Sequence, residues 1–338
     1  MLTYTIRRLI LAIPTLLFIS FIIFIIVKLS PSDPTANLPL TIPPEVREQI
    51  RESLGVNDPI IVQYFKWLKL MVWDEPLHLI DNWFGTEIAP PNEPGSRIIS
   101  YQTRSPVMDL IMQRMPQTLW VVGTSYIVGI IIALPLGIIS AYKQYSIFDQ
   151  LGTFISMLGF SVPTFFTGVL FIVIFAVNLQ WLPSVYDTTH VVEDWDSFVV
   201  QFKQMIMPVM VLGLFNAAQI SRYMRASMLD NLNQDYVRTA RAKGLGEGTV
   251  VLVHVLRNSM IPVVTVIALN VPAVFGGAII TEQVFKVNGI GQLLIIAIQA
   301  GDVPVVQTVS FIFAVLIVLF NLLADILYGV LDPRIRYD

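Results

Sequence analysis

Residues 235–262 read DYVRTARAKGLGEGTVVLVHVLRNSMIP, the longest polar interruption in the C-terminal half of an otherwise apolar chain. Arg238, Arg241, Lys243 and Arg257 lie within it and Arg222 and Arg225 precede it, against only Asp230, Asp235 and Glu247. A basic excess between two long apolar runs marks a loop kept on the cytoplasmic side of a membrane. Asp235 is suited to cap a short helix containing the strong helix formers Ala240 and Ala242, and Gly244 is suited to end it. After a turn at Gly246–Gly248, an apolar run from Val250 carries His254 and Arg257 and stops before Pro262. The expectation is a short helix, a glycine-rich turn and a second helix. Charge alone fits equally a solvated loop that does no more than anchor the chain.

Composition agrees with a membrane setting. Of 338 residues, 55% are hydrophobic and 13% charged, and the mean hydropathy is +0.69, too apolar for a soluble domain of this size. The net charge of -3 says little, because in such a chain the location of charge matters more than its sum. With no cysteine there is no disulfide, thiolate ligand or cysteine nucleophile. His78, His190 and His254 are scattered, so neither metal ligation nor catalysis is expected of them.

Taken in order, Arg7 and Arg8 precede an apolar run over 9–29, long enough to cross a core of about 30 Å. It is longer than a signal-peptide core and lacks a nearby small-x-small cleavage site, so it reads as a retained first span with its N-terminus inside. Residues 30–116 form a large external segment. Within it a short helix is expected over Pro44–Leu54, from Val46, Ile50 and Leu54 with Gly55 as a stop. An aromatic helix follows over Pro59–Val72, either interfacial or packed in an outer subdomain. The stretch 74–104, with Pro76, Pro90, Pro91, Pro94 and Gly95, reads as loop, either a partner-recognition element or a variable surface. Ser105-Pro106 starts an amphipathic lead-in to a second span at 118–142, and a third follows at 151–177. Pro135 and Pro163 are expected to bend these two spans. A fourth span is expected at 206–220, the polar loop at 222–260, a fifth span at 261–280 and the last at 305–327. Residues 281–304 hold the turn Asn288-Gly289-Ile290-Gly291 and then an apolar run too short to cross, read as re-entrant or interfacial. Six spans place both termini in the cytoplasm.

Several phrases carry a family likeness. The run Tyr236–Leu245, then His254-Val255-Leu256-Arg257-Asn258 and Ile261-Pro262-Val263-Val264-Thr265, resembles the cytoplasmic loop of ABC importer permeases of the dipeptide, oligopeptide and nickel group. The general signature of such loops has Glu-Ala-Ala, three residues and Gly. Here the positions are Arg238, Thr239, Ala240 and Gly244, and the missing acid and the longer distance to Pro262 resemble the peptide branch. Arg7-Arg8-Leu9 through Leu16, Pro31-Ser32-Asp33-Pro34, Ser161–Gly168, Trp181-Leu182-Pro183 and the tail Asp332-Pro333-Arg334 are similar to further motifs of B-type subunits, in the same order.

The resemblance implies an all-α integral membrane protein with the type I ABC importer permease fold, in a bacterial or archaeal plasma (inner) membrane. It implies a homologous second permease subunit, two cytosolic ATPase subunits and an external solute-binding protein as partners, with no nucleic acid. Asp235, Tyr236, Arg238, Thr239, Ala240, Arg241, Ala242, Lys243, Gly244 and Leu245 would form the coupling helix seated in a groove of an ATPase subunit, with Arg241 and Lys243 facing its acidic rim. No GxxxxGK[ST] loop is present, and Gly244-Leu245-Gly246-Glu247-Gly248 lacks the lysine that reaches phosphate. ATP and Mg therefore belong to partner subunits, and no cofactor, metal or catalytic residue is expected on this chain. Peptides are the expected cargo, with nickel chelates, opines or oligosaccharides as alternatives. An ion-coupled secondary carrier would need ionisable groups in its spans. Asn270 and Asp325 are the candidate intramembrane polar residues, Asp325 either a structural ion pair, with Arg334 or an arginine of the central loop, or part of a pathway.

Overall fold

The computed structural model describes residues 2–29, 43–46, 48, 58–91 and 96–331. The motifs at 31–34 and 332–334, and most of the helix expected over 44–54, lie outside them; residues 44–46 and 48 are helical. Among the described residues the structure is helical, with one isolated antiparallel bridge between Ile99 and Pro106. The chain forms two compact units, one from Met1–Ile10, Pro116–Gln292 and Leu316–Asp338, the other from Leu11–Met115 and Leu293–Val315.

In chain order the helices are α1 (Leu2–Lys28), α2 (Ile60–Lys69) and α3 (Glu75–Phe84), then α4 (Val107–Tyr142) and the bent pair α5 (Ile147–Ser161) and α6 (Thr164–Asn178). They continue with α7 (Trp195–Leu232), α8 (Asp235–Ala242) and α9 (Glu247–Gly276). The bent pair α10 (Ile279–Phe285) and α11 (Ile290–Ala300) and finally α12 (Val303–Leu331) complete the order. Five helices are long and apolar enough to cross a membrane, and each bent pair adds a span if it crosses as one. Counting α5–α6 and leaving α10–α11 as re-entrant gives the six expected.

Several helices outrun the spans read from the sequence. The 118–142 segment lies inside the 36 residues of α4, and 206–220 inside the 38 residues of α7. Polar residues do not break a helix by themselves. Asp109, Gln113 and Arg114 simply carry α4 back to Val107, and α7 starts where the Asp194 side chain accepts from Ser197 N at 2.8 Å in a capping box. Likewise α9 runs through Pro262 and Pro272 and stops only at Gly277, whose φ is +72°.

Pro163 does more than bend its helix. Val162, a β-branched residue before proline, is extended (φ -83°, ψ 125°), as clash with the pyrrolidine ring favours. The chain therefore breaks there, and α5 and α6 meet at 101°.

In the first unit α4 and α7 pack closely along small residues. A Cβ on Gly129 would stand 2.7 Å from Asn216 Cβ, and one on Gly137 2.6 Å from Met224 Cβ. Asp149, buried at the start of α5, receives Arg225 of α7 on both oxygens at 2.7 and 2.8 Å. One of the basic residues beside the polar loop is therefore committed to holding helices together. Ser227 and Ser259 each donate to the other's carbonyl at 2.9 and 3.2 Å, joining α7 to α9.

The second unit corrects the loop reading of 74–104. Residues 75–84 are helical and continue directly from α2 through a wide π turn over Leu70–Asp74, with Pro76 just past that turn. Downstream, Arg97 bridges Asp109 at 2.9 Å and the fully buried Glu75 at 3.1 Å. Burial opposes the Arg97 charge, but its bonds to Asp109 and Glu75 outweigh that and raise its pKa. Asp302 accepts from Ser100 Oγ and from the backbone N–H of Tyr101 and Gln102. On α2, Tyr64 bonds Ser20 Oγ at 2.8 Å and Trp67 packs edge-on against Phe311. Its other face leaves Ile61 and Phe65 exposed, so the helix is packed on one side and uncovered on the other.

Candidate functional site

The short helix α8 is held from beneath. Val237 and Ala240, three residues apart and so on one face, are buried in the cluster formed by Met224, Met228, Val250, Val251 and Val255. Full burial of a valine contributes about 1.5–3 kcal/mol. Tyr236 Oη donates to Asn231 Oδ1 at 2.8 Å, fixing the angle at which α8 leaves the end of α7. The opposite face, with Arg238, Thr239 and Ala242, is exposed, as is every residue from Arg241 to Thr249.

Both ends of α8 follow from local chemistry, with one shift. Gln234, not Asp235, occupies the capping position, and Asp235 is the first helical residue. There its charge still favours the positive helix end, and it makes only an exposed 3.5 Å pair with Arg238. The C-terminus is a Schellman closure. Gly244 N donates to Arg241 O at 2.9 Å and Leu245 N to Ala240 O at 3.4 Å. Gly244 has φ +78°, and a Cβ there would meet nothing within 4 Å. The glycine is thus required by backbone shape, and the space beside it is open.

Of the two cations expected to face a partner, Arg241 is already engaged. Its guanidinium grips Glu247 at 2.7 and 3.3 Å across the glycine turn, and that bond raises its pKa. Lys243 is exposed and has no ion pair among the described residues. Arg222 lies over the Phe160 ring at 4.4 Å.

The intramembrane candidates are placed apart from this helix. Asn270 is half-buried and donates to Val266 O one turn back at 2.8 Å. Asp325 pairs with Arg8 at 3.0 Å, a partner the sequence did not suggest; Arg334 lies outside the described residues. His190 bonds Ser197 O, and no group of three histidine, aspartate or glutamate residues suited to a metal occurs among the described residues.

Sequence reasoning missed Glu282. It sits in a segment read as an outer turn, yet it is fully buried, its carboxylate receiving Thr118 Oγ1 at 3.1 Å and Gln292 N at 3.0 Å. The available signal was a glutamate followed within ten residues by Gly289 and Gly291 in an apolar setting.

Residues 133–337 match the family described as binding-protein-dependent transport system inner membrane component, and residues 1–122 match the N-terminal family of such membrane components. The chain belongs to this family. It is thus a multi-pass membrane subunit of an ABC importer, in the permease class. Among its relatives, the oligopeptide transport system permease protein AppB of Bacillus subtilis (strain 168) is 39% identical over 100% of both chains. The glutathione transport system permease protein GsiC of Escherichia coli (strain K12) is 37% identical, again over 100% of both. A solved amino acid ABC transporter with histidines is similar at a TM-score of 0.46 and 12% identity, covering 68% of this permease and 95% of that chain.

Proposed function

We propose that this permease imports peptides, forming half of a translocation path with a homologous second permease, and that α8 with its closing turn is the element through which two cytosolic ATPase subunits drive it. The observation that carries the coupling role is the two-sided character of α8. Its inner face is buried through Val237 and Ala240 in a cluster with residues of α7 and α9, while every residue from Arg241 to Thr249 is exposed. A push on such an element moves the helices under it. Lys243, with no ion pair among the described residues, supplies a charge for a partner's acidic rim, and the open space at Gly244 admits close backbone approach. Arg241 acts first within the chain, keeping the turn in shape through Glu247.

ATP and Mg belong to the partner subunits in this reading, and the chain itself is non-catalytic. An external solute-binding protein delivers the cargo, and both termini lie in the cytoplasm of a bacterial or archaeal cell. The Arg8–Asp325 pair supports placing the start of α1 and the end of α12 on one side. It also weighs against an ion-coupled carrier centred on Asp325, since the carboxylate is neutralised where it stands. Peptide cargo rests on the oligopeptide and glutathione relatives.

The test is purification of the chain in mild detergent with everything that stays bound, followed by an ATPase assay. A second permease and ATPase subunits, lost with Gly244→Asp, are expected. A lone homo-oligomer that transports in vesicles without ATP would overturn the proposal.

A further inference from the structure

Glu282 is a fully buried acid that forms no salt bridge among the described residues. What compensates its charge is the start of α11. Gln292 N donates to one carboxylate oxygen, and Thr118 Oγ1 donates to the other while accepting from Ile290 N at 2.8 Å. Two of the orphan N–H groups at the start of α11 are therefore bound by side chains from α4 and α10, and the helix dipole stands where a cation otherwise would. Three glycines let the backbone close on this carboxylate. A Cβ on Gly277 or Gly289 would stand 2.5 Å from Oε1, and one on Gly291 2.9 Å from Oε2.

A brace could be built from neutral groups. A buried carboxyl held by donors alone is costly to leave half-satisfied, so a partly opened joint is disfavoured against the closed one. We propose that Thr118 and Glu282 form a latch that makes the α10–α11 joint move as one body with α4, so that displacement of α8 reaches this joint through α7 and α4. The route is continuous in contact. Val237 of α8 shares one buried cluster with Met224 and Met228 of α7, Met224 meets Gly137 of α4, and α4 carries Thr118. Beyond the latch, α10 is wedged by Phe285 against Gly168 of α6, and Phe285 O accepts from Tyr186 N at 2.9 Å. Thr118 and Glu282 are positioning residues, remote from any reacting group.

The proposal rests on the importer reading, and the experiment separates the two. The full importer is reconstituted in vesicles with a single cysteine at Ile280→Cys, an exposed position on α10 in a chain that has no other cysteine. Labelling by fluorescein maleimide is compared without nucleotide and with Mg-ATP trapped by vanadate, together with uptake of a labelled trialanine peptide per ATP hydrolysed. In the parent, nucleotide changes the labelling rate. Thr118→Val and Glu282→Gln, which preserve shape, are expected to assemble and to keep basal ATPase, to lose the nucleotide-dependent change in labelling, and to move at least 10-fold less peptide per ATP. Thr118→Ser, which keeps the hydroxyl, restores both. Unchanged labelling and stoichiometry in Thr118→Val and Glu282→Gln overturn the latch. So does a loss of assembled complex that Thr118→Ser shares, since the pair is then a fold element only. A parent complex whose uptake ignores ATP sinks the importer reading instead.

Discussion

Two glycine-rich turns of this permease look alike in the sequence and do opposite things. Gly244, Gly246 and Gly248 follow α8 with nothing within 4 Å of where a Cβ would be. Gly277, Gly289 and Gly291 surround Glu282 with no room for one, the nearest atoms lying 2.4–2.7 Å away. The first turn is open to whatever docks beside it; the second is closed on the chain itself. A glycine cluster therefore reports close backbone approach without saying whether the approaching body belongs to the same chain.

The comparison breaks most readily at the closed turn. Gly291→Ala puts a methyl 2.7 Å from the Ile279 Cα, a backbone atom that cannot step aside. A loss of about 1–3 kcal/mol or more is expected, read as reduced yield in membranes and a lower melting temperature of the purified complex. A parent-like melt would show that the closed turn has slack. At the open turn Gly244→Asp is expected to leave the fold within about 1–2 kcal/mol, the cost of a side chain in left-handed backbone. ATP-driven uptake should nevertheless fall by an order of magnitude or more. Equal losses of stability and uptake would remove the distinction between the turns.

Smaller effects sharpen it. The Arg241–Glu247 pair is about half exposed on both sides, so a double-mutant cycle with Arg241→Gln and Glu247→Gln should give a coupling energy of no more than about 1 kcal/mol in the melt. Gly248→Ala, in the first turn of α9 with free space around it, should raise stability by about 0.4–1 kcal/mol. If uptake then falls while stability rises, position 248 also lies under a partner.

The sequence showed well what local chemistry decides. Gly244 marked the end of α8, and Pro163 marked a disturbance in the third apolar run. It showed poorly what depends on distant partners. Val162 turned the expected bend at Pro163 into a break, a consequence readable from the X-Pro pair itself. The latch at Glu282 was only half readable: Gly289 and Gly291 lie within ten residues of the acid, but its partner Thr118 lies 164 residues away. Asp325 was noticed for its charge, but Arg8 stands at the other end of the chain, and Arg241 looked available for a partner until Glu247 was seen to hold it. The helix start after Ser105-Pro106 was readable from the cap and proline, whereas the full reach of α7, from Trp195 to Leu232, exceeds the apolar run that marked its span.

The length of α7 has a mechanical consequence. Its 38 residues make a rod of about 57 Å at 1.5 Å per residue, nearly twice the thickness of a membrane core. One end is closed by the Asp194 capping box and the other delivers the chain into α8. A rod that long amplifies rotation, because tilting it by about 5° about one end carries the other by about 5 Å, close to one helical turn. Small angular play at the far end is therefore enough to move α8 by a whole side chain, with no helix along the way needing to unfold.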